Sequence, residues 1–359
     1  MSQRTGAKAI LTPTLDLLAV GGLSLVCFIP LLLSGRTDLV IVGAGAQAWL
    51  GTAINMPHFM ASYRLVYRDR ASIVKHKWAS MYIPGLLLAS TILALWEAQH
   101  SAFLVIVLAT ISSSYLAWHY TGQAWGMMAS HAYLAGMKWE PRERRLVRVS
   151  LWILLAWHIT WFFYRASQLR NPEVVAPLYN AAVAASGVAF VLGLAAFGLV
   201  KRRTGKLPPL KALVAWLAIF VWYAMMWRDA KAIFWIQIAH ALQYLAFPIR
   251  VEINQTAAHE PPAAGRNRLV AHMVLYGAVI LGLSIVVAQI VPLSAMSVIG
   301  RLYGEEPGKA APILILLFIN IHHYFTDGVI WKLRNPDVRR ELFAHVAPAP
   351  RASGKVATR

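Results

Sequence analysis

About ten stretches of this chain, near residues 15–34, 39–62, 79–97, 101–128, 148–168, 174–200, 209–228, 230–249, 269–293 and 310–332, are apolar over roughly the 17–25 residues that a bilayer crossing takes. In hydrocarbon every backbone N–H and C=O must find its partner within the protein, so runs of this length fold as helices. The expected architecture is an all-α, polytopic transmembrane bundle. Composition agrees: 58% of the residues are hydrophobic and mean hydropathy is +0.54, against roughly 45–50% apolar residues in soluble domains. Between the seventh and eighth runs a charged turn carrying Arg228, Asp229 and Lys231 is expected, because one helix over 209–249 would overshoot the membrane.

A net charge of +19 would point to nucleic acid in a soluble domain. Here the Lys and Arg residues fall between apolar runs, the pattern of cytoplasmic loops facing anionic membrane lipids, and no nucleic-acid partner is needed. Arg64, Arg68, Arg70, Lys75 and Lys77 follow the second run, Lys138, Arg142, Arg144, Arg145 and Arg148 the fourth, and Lys201, Arg202, Arg203, Lys206 and Lys211 the sixth. The intervening loops are poorer in positive charge, so both termini are expected in the cytoplasm, with the protein multi-pass in the plasma (inner) membrane. Residues 1–335 read as a single transmembrane domain and 336–359 as a basic cytoplasmic tail, disordered at its Pro/Ala-rich end. The first run reads as a retained span, and the single cysteine, Cys27, rules out an intrachain disulfide.

Against this background the histidines stand out. His58, His119, His158, His240 and the pair His322 and His323 lie inside apolar runs, where an ionisable side chain is expensive and marks a functional site by default. With the orientation above, helices two, four, eight and ten all run inward, and a rise of about 1.5 Å per residue brings His58, His119, His240 and His322/His323 to the midplane or the inner half of the bilayer. His158 runs on an oppositely directed helix and His131 lies near the inner interface. For those two, an interhelical hydrogen bond is as good an explanation as function.

A ligating imidazole usually has its second nitrogen held by an acceptor, and on a helix that partner belongs three or four residues away. Gln123 stands four after His119 and Asp327 four after His323; Gln237 and Tyr244 stand three before and four after His240. Pro57, just before His58, is positioned to open its helix locally. Imidazole suits iron, zinc, copper and nickel, whereas magnesium and calcium prefer oxygen, so a transition metal is the natural occupant of such a cluster. The paired HxxxH and HxxHH spacings of di-iron membrane enzymes are missing, and a mononuclear site with four or so ligands fits the count better.

The motifs PHF (57–59), WHYTGQ (118–123) and HHYFTDGVIW (322–331) resemble those of the bacterial Brp/Blh group of membrane carotenoid-cleaving dioxygenases. That resemblance implies non-haem Fe2+ held by His58, His119, His240 and His322 or His323, and oxidative cleavage of a polyene within the bilayer, with dioxygen as co-substrate. Three function classes follow. The first is a membrane oxygenase or oxidase acting on a lipid-soluble substrate, with Asp327 and Gln123 orienting the ligands and Tyr120 or Tyr324 as proton donors. The second is a proton-coupled transporter with a relay through His240, His323 and Asp327. The third is a haem-binding electron carrier using His119 and His131 with rings on another helix.

Overall fold

Helices account for nearly all of the described residues, as a lipid environment requires. The computed structural model describes residues 9–36, 43–166, 172–259 and 265–346. In chain order the helices are α1 (Pro13–Ser34), α2 (44–66), α3 (Arg70–Lys75), α4 (Trp78–Glu97), α5 (Phe103–Leu134), α6 (Pro141–Arg165), α7 (Pro172–Thr204), α8 (Leu210–Arg228), α9 (Ile233–His259), α10 (Asn267–Tyr303), α11 (Glu305–Ile330) and α12 (Pro336–Phe343). Among the described residues, nine of them are long and apolar enough to cross a membrane: α1, α4 to α8, α9 with its leading turn, α10 and α11.

The expected second run became α2, which is not among the nine. Its sequence explains why: it carries Asn55, His58, Ser62 and Arg64, and every residue from Met56 to Ser62 is buried. An inner helix is shielded from lipid by its neighbours and can be polar at a depth where an outer one cannot. The break between α8 and α9 falls at Asp229, whose backbone is extended and whose carboxylate caps the next turn through the Lys231 N–H, as the charged-turn reading requires.

Several helices run further than hydropathy indicated. α6 begins at Pro141, seven residues before the expected start at 148, behind a capping box made by Glu140 and Glu143. Glu143 is buried and is met by Arg203 from the end of α7 at 2.7 Å. An apolar window stops where charge begins, but the backbone bonds continue as long as caps and ion pairs satisfy the polar ends.

α11 lies at the centre, packed against α2, α4, α5 and α10, and α2 in turn touches α9. α10 and α11 approach so closely that a Cβ added to Gly308 would stand 2.7 Å from the Gly300 Cα. The contact register gives relative direction. His58 meets the His240 and His323 rings, while Ser62, one turn on, meets Tyr244 and Asp327. Tyr115 stacks on Tyr324, and His119, one turn on, meets Asp327. Steps of one turn on one helix match steps of one turn on the next, so α2, α5, α9 and α11 run parallel. That common direction is what carries four histidine-bearing turns to one level.

The tail begins as a helix. Residues 336–343 form α12, whose Leu342 and Phe343 are buried, with the Phe343 ring 4.6 Å from that of Tyr133. Glu341 accepts from Arg68 at 2.9 Å and Asp337 from Lys75 at 2.9 Å, fastening α12 to the loop after α2. The remainder, 347–359, lies outside the described residues.

Candidate metal centre

The site begins with a distortion in α2. Pro57 has no N–H to offer the preceding turn, and the helix accommodates this by widening: residues Gly51–Asn55 form a π-turn closed by the Met56 N–H on the Gly51 carbonyl. His58 follows at once and is 1% exposed. Neither of its ring nitrogens has a hydrogen-bond partner. In a buried site each unmet polar atom costs about 1–3 kcal/mol, a cost that a bound ion would offset.

Around His58 stand His323 and His240, with ring centroids at 4.7 Å and 5.4 Å, and His119 closes the group at 5.1 Å from His323 and 4.8 Å from His240. One nitrogen from each of His58, His119 and His323 lies within 4.8 Å of the other two. Three nitrogens bound at about 2.1 Å to one ion are mutually at most about 3.6 Å apart, so side-chain adjustments of up to about 0.7 Å each would bring all three onto a metal. His240 adds a fourth ring: its Nε2 stands 3.1 Å from the Nε2 of His119. That separation suits an N–H···N bond, and it also suits two ligands of one ion, whose nitrogens fall about 3.0–3.4 Å apart.

A hydrogen-bonded chain fixes which lone pairs face inward. Trp331 Nε1 donates to the Tyr244 hydroxyl at 2.7 Å, and Tyr244 donates to Asp327 Oδ1 at 2.9 Å. The Ser62 hydroxyl has the same oxygen at 2.8 Å and the His58 carbonyl at 3.0 Å as acceptors for its one proton, which leaves its own oxygen to accept the His323 Nδ1–H at 3.2 Å. With the His323 proton on Nδ1, Nε2 presents a lone pair, and that atom has no hydrogen-bond partner. Asp327 Oδ2 is likewise turned to the cluster, 3.3 Å from His323 Nε2 and 3.7 Å from His119 Nε2. A ligand held by a neighbour that sets its tautomer is the usual build of a metal site.

Of the residues singled out in sequence, His58, His119, His240, His323, Tyr244 and Asp327 are brought together. His322 is not. It points to the other side of α11, where its Nε2 meets the Ala79 carbonyl at 2.8 Å and its ring stacks on Tyr63. Adjacent residues on a helix diverge by about 100°, so a double histidine cannot present both rings to one point. Gln123 does not hold the His119 ring; its amide donates to the His240 carbonyl at 3.0 Å and to Gln243 Oε1 at 3.1 Å. Gln243 passes the link to the Val20 carbonyl of α1, which is freed by a kink at Gly21, where φ is +136° and a Cβ would sit 2.5 Å from that of Ala218. Gln237 does not hold His240 either, since His240 Nδ1 has no partner.

Tyr324 flanks the cluster, its ring 4.9 Å from that of His119. Tyr120 sits behind it, 4.5 Å from the His240 ring and 5.8 Å from that of His158. His158 bonds the Tyr223 hydroxyl at 3.0 Å outside the cluster. His131 lines a separate small recess beside Asp16, with no second histidine on its lining. Ser62 and Trp331 were missed. The signal was present, because each stands four residues past a singled-out group, His58 and Asp327 respectively.

A cavity of about 260 Å³ opens beside the cluster, lined by His119, Tyr324, Tyr244 and Asp327 at one end and by apolar groups such as Trp118 and Phe247 along its walls. Tyr120 is not on its lining. No family model, curated protein or solved structure matches this chain.

Proposed function

We propose that the protein is a membrane-embedded, metal-dependent oxygenase or oxidase that acts on a hydrophobic, lipid-like substrate such as a carotenoid, with non-haem iron held by His58, His119 and His323. One observation carries this reading: three buried histidines offer nitrogens within 4.8 Å of one another beside an apolar cavity. His240 and Asp327 complete a nitrogen-rich donor set with one carboxylate, the ligand chemistry that suits iron and other first-row transition metals. The resemblance of the PHF, WHYTGQ and HHYFTDGVIW motifs to membrane carotenoid-cleaving dioxygenases supports the same metal.

Bound iron would supply the activation of dioxygen that organic side chains cannot provide. The protein's own contribution is placement. Ser62 and Tyr244 hold Asp327 by one oxygen and leave the other facing the histidines, where it can bind or store a proton. Tyr324, on both the cavity wall and the His119 ring, is the side chain placed to pass a proton to a substrate there. The apolar walls exclude water from the reacting atoms.

The test is turnover under isotopically labelled dioxygen. Protein purified in detergent and reconstituted anaerobically with Fe(II) is mixed with membrane lipid and carotenoid extracts, and products are read by mass spectrometry. Label incorporated into a lipid product by wild type, and not by His58→Ala, is the expected result. Uptake of a solute into liposomes driven by a pH gradient, with no labelled product, would overturn it in favour of a carrier.

A further inference from the structure

The cavity is a slot with two unlike ends. Its inner end is His119 and Asp327; its outer end reaches Lys332, two residues beyond the last turn of α11. Along α5 its lining runs from Tyr115 to Ser130, a length of about 22 Å at helical rise. The volume of about 260 Å³ is a little under the roughly 300–1,000 Å³ of sites that enclose a whole small molecule. A slot this long and this thin takes one chain.

Three glycines shape it. Gly122 and Gly126 on α5 and Gly328 on α11 lie on the lining, and a Cβ added at any of them meets nothing within 4 Å. Gly122 and Gly328 are also exposed, so the slot opens sideways between α5 and α11. Helix packing does not need these glycines; the open space does. Inside, Gln123 Oε1 is buried with no hydrogen-bond partner, and Asp327, on the lining, stands with Oδ2 3.7 Å from His119 Nε2 and 3.3 Å from His323 Nε2. At the mouth Lys332 is exposed and makes no ion pair among the described residues.

We propose that the slot binds an amphipathic lipid end-on: an anionic headgroup on Lys332 at the membrane surface and a single apolar chain threaded between α5 and α11 to the histidines. A carboxylate or a phosphate would serve equally as the head. The binding step stands on the slot alone; its bearing on chemistry rests on the metal-centre reading. Taken together they fix the point of attack by distance from the head, about 13 Å along α11 from Lys332 to His323.

Tryptophans 118 and 331 line the slot, so occupancy can be read without turnover and without metal. Metal-free protein in detergent is titrated with a long-chain fatty acid brominated at mid-chain, with its methyl ester, and with a phosphatidylglycerol brominated likewise, and saturable quenching of tryptophan fluorescence is followed. Wild type should bind the acid or the phosphatidylglycerol, and which of the two identifies the head. Gly126→Leu should abolish the saturable component, with Gly122→Leu as a second plug should the first fail to accumulate. Lys332→Gln should weaken the charged probe about fivefold, as an exposed ion pair does, and leave the ester unchanged. Equal binding of ester and acid by wild type would overturn the anionic head, and quenching untouched by both plugs would overturn the slot. Because the assay contains no metal, a failed oxygenase reading leaves its outcome unaffected.

Discussion

Ser62→Ala separates a metal centre from a merely packed polar cluster. The Ser62 hydroxyl is buried, 2.8 Å from Asp327 Oδ1 and 3.2 Å from His323 Nδ1. Removing it leaves Asp327 with Tyr244 at 2.9 Å but leaves His323 Nδ1 with no acceptor. Two consequences follow in different observables. Stability falls by about 1–2 kcal/mol, the cost of an unmet buried donor moderated by local rearrangement. Metal affinity falls about 10–100-fold, since His323 is free to shift its proton to Nε2 and to turn away from the ion. The affinity loss corresponds to about 1.4–2.7 kcal/mol and is measured by competition with a chelator of known affinity, read by elemental analysis of the protein after gel filtration. Thermal unfolding in the same detergent, without metal, gives the stability term separately. Lower stability with unchanged metal affinity would refute the reasoning, because it would mean that the Ser62–His323 contact serves packing alone.

Other perturbations have distinct signatures. His322→Ala should keep full metal content while losing about 1 kcal/mol of stability with the bond to the Ala79 carbonyl, whereas His323→Ala should lose the metal; elemental analysis of both variants decides. Lys211→Met leaves the fully buried carboxylate of Asp16 without its cation at 2.8 Å and should cost about 3 kcal/mol in thermal unfolding, with metal content unaffected. The Asp337 carboxyl is held below the ordinary carboxylate range by its hydrogen bond and charge pairing with Lys75, helped by Arg340. A depressed carboxyl stabilises fully above its unfolded value near 3.9 and loses that contribution as pH falls through the folded one. The contribution of the Asp337–Lys75 pair to amide protection in α12, read as the difference between wild type and Lys75→Gln, should therefore be constant above about pH 4 and lost below it.

Much of the bundle was legible because lipid leaves a chain few choices. Length and apolarity located the outer helices, and charge located the turn at Asp229. Helix ends were less legible, as at Pro141, since caps and ion pairs such as Glu143 with Arg203 extend helices into charged sequence. α2 was found from its length, and the feature that sets it apart, full burial of residues 56–62, is a tertiary property no single run displays. For the site, depth along parallel helices was enough to assemble His58, His119, His240 and His323. Azimuth was the missing coordinate. The rule of partners at three or four residues correctly paired His323 with Asp327, but it misassigned Gln123, whose amide is spent on the His240 carbonyl and Gln243, and it paired Gln237 with a His240 nitrogen that has no partner. The same rule applied to His58 leads to Ser62, which bonds the His58 carbonyl on its own helix and also Tyr244 on α9 and Asp327 and His323 on α11. A side chain's neighbours on its own helix are visible in sequence, and its neighbours across an interface are not.

The central claim is that imidazoles from α2, α5 and α11 share one metal ion, and X-ray absorption at the metal edge of the reconstituted protein tests it most directly. A single transition metal per chain with the outer-shell scattering of at least three imidazole rings, reduced by one ring in His119→Ala, is the expected spectrum. Protein that takes up no metal under anaerobic loading, or holds it through oxygen ligands with no imidazole signature, would contradict the claim.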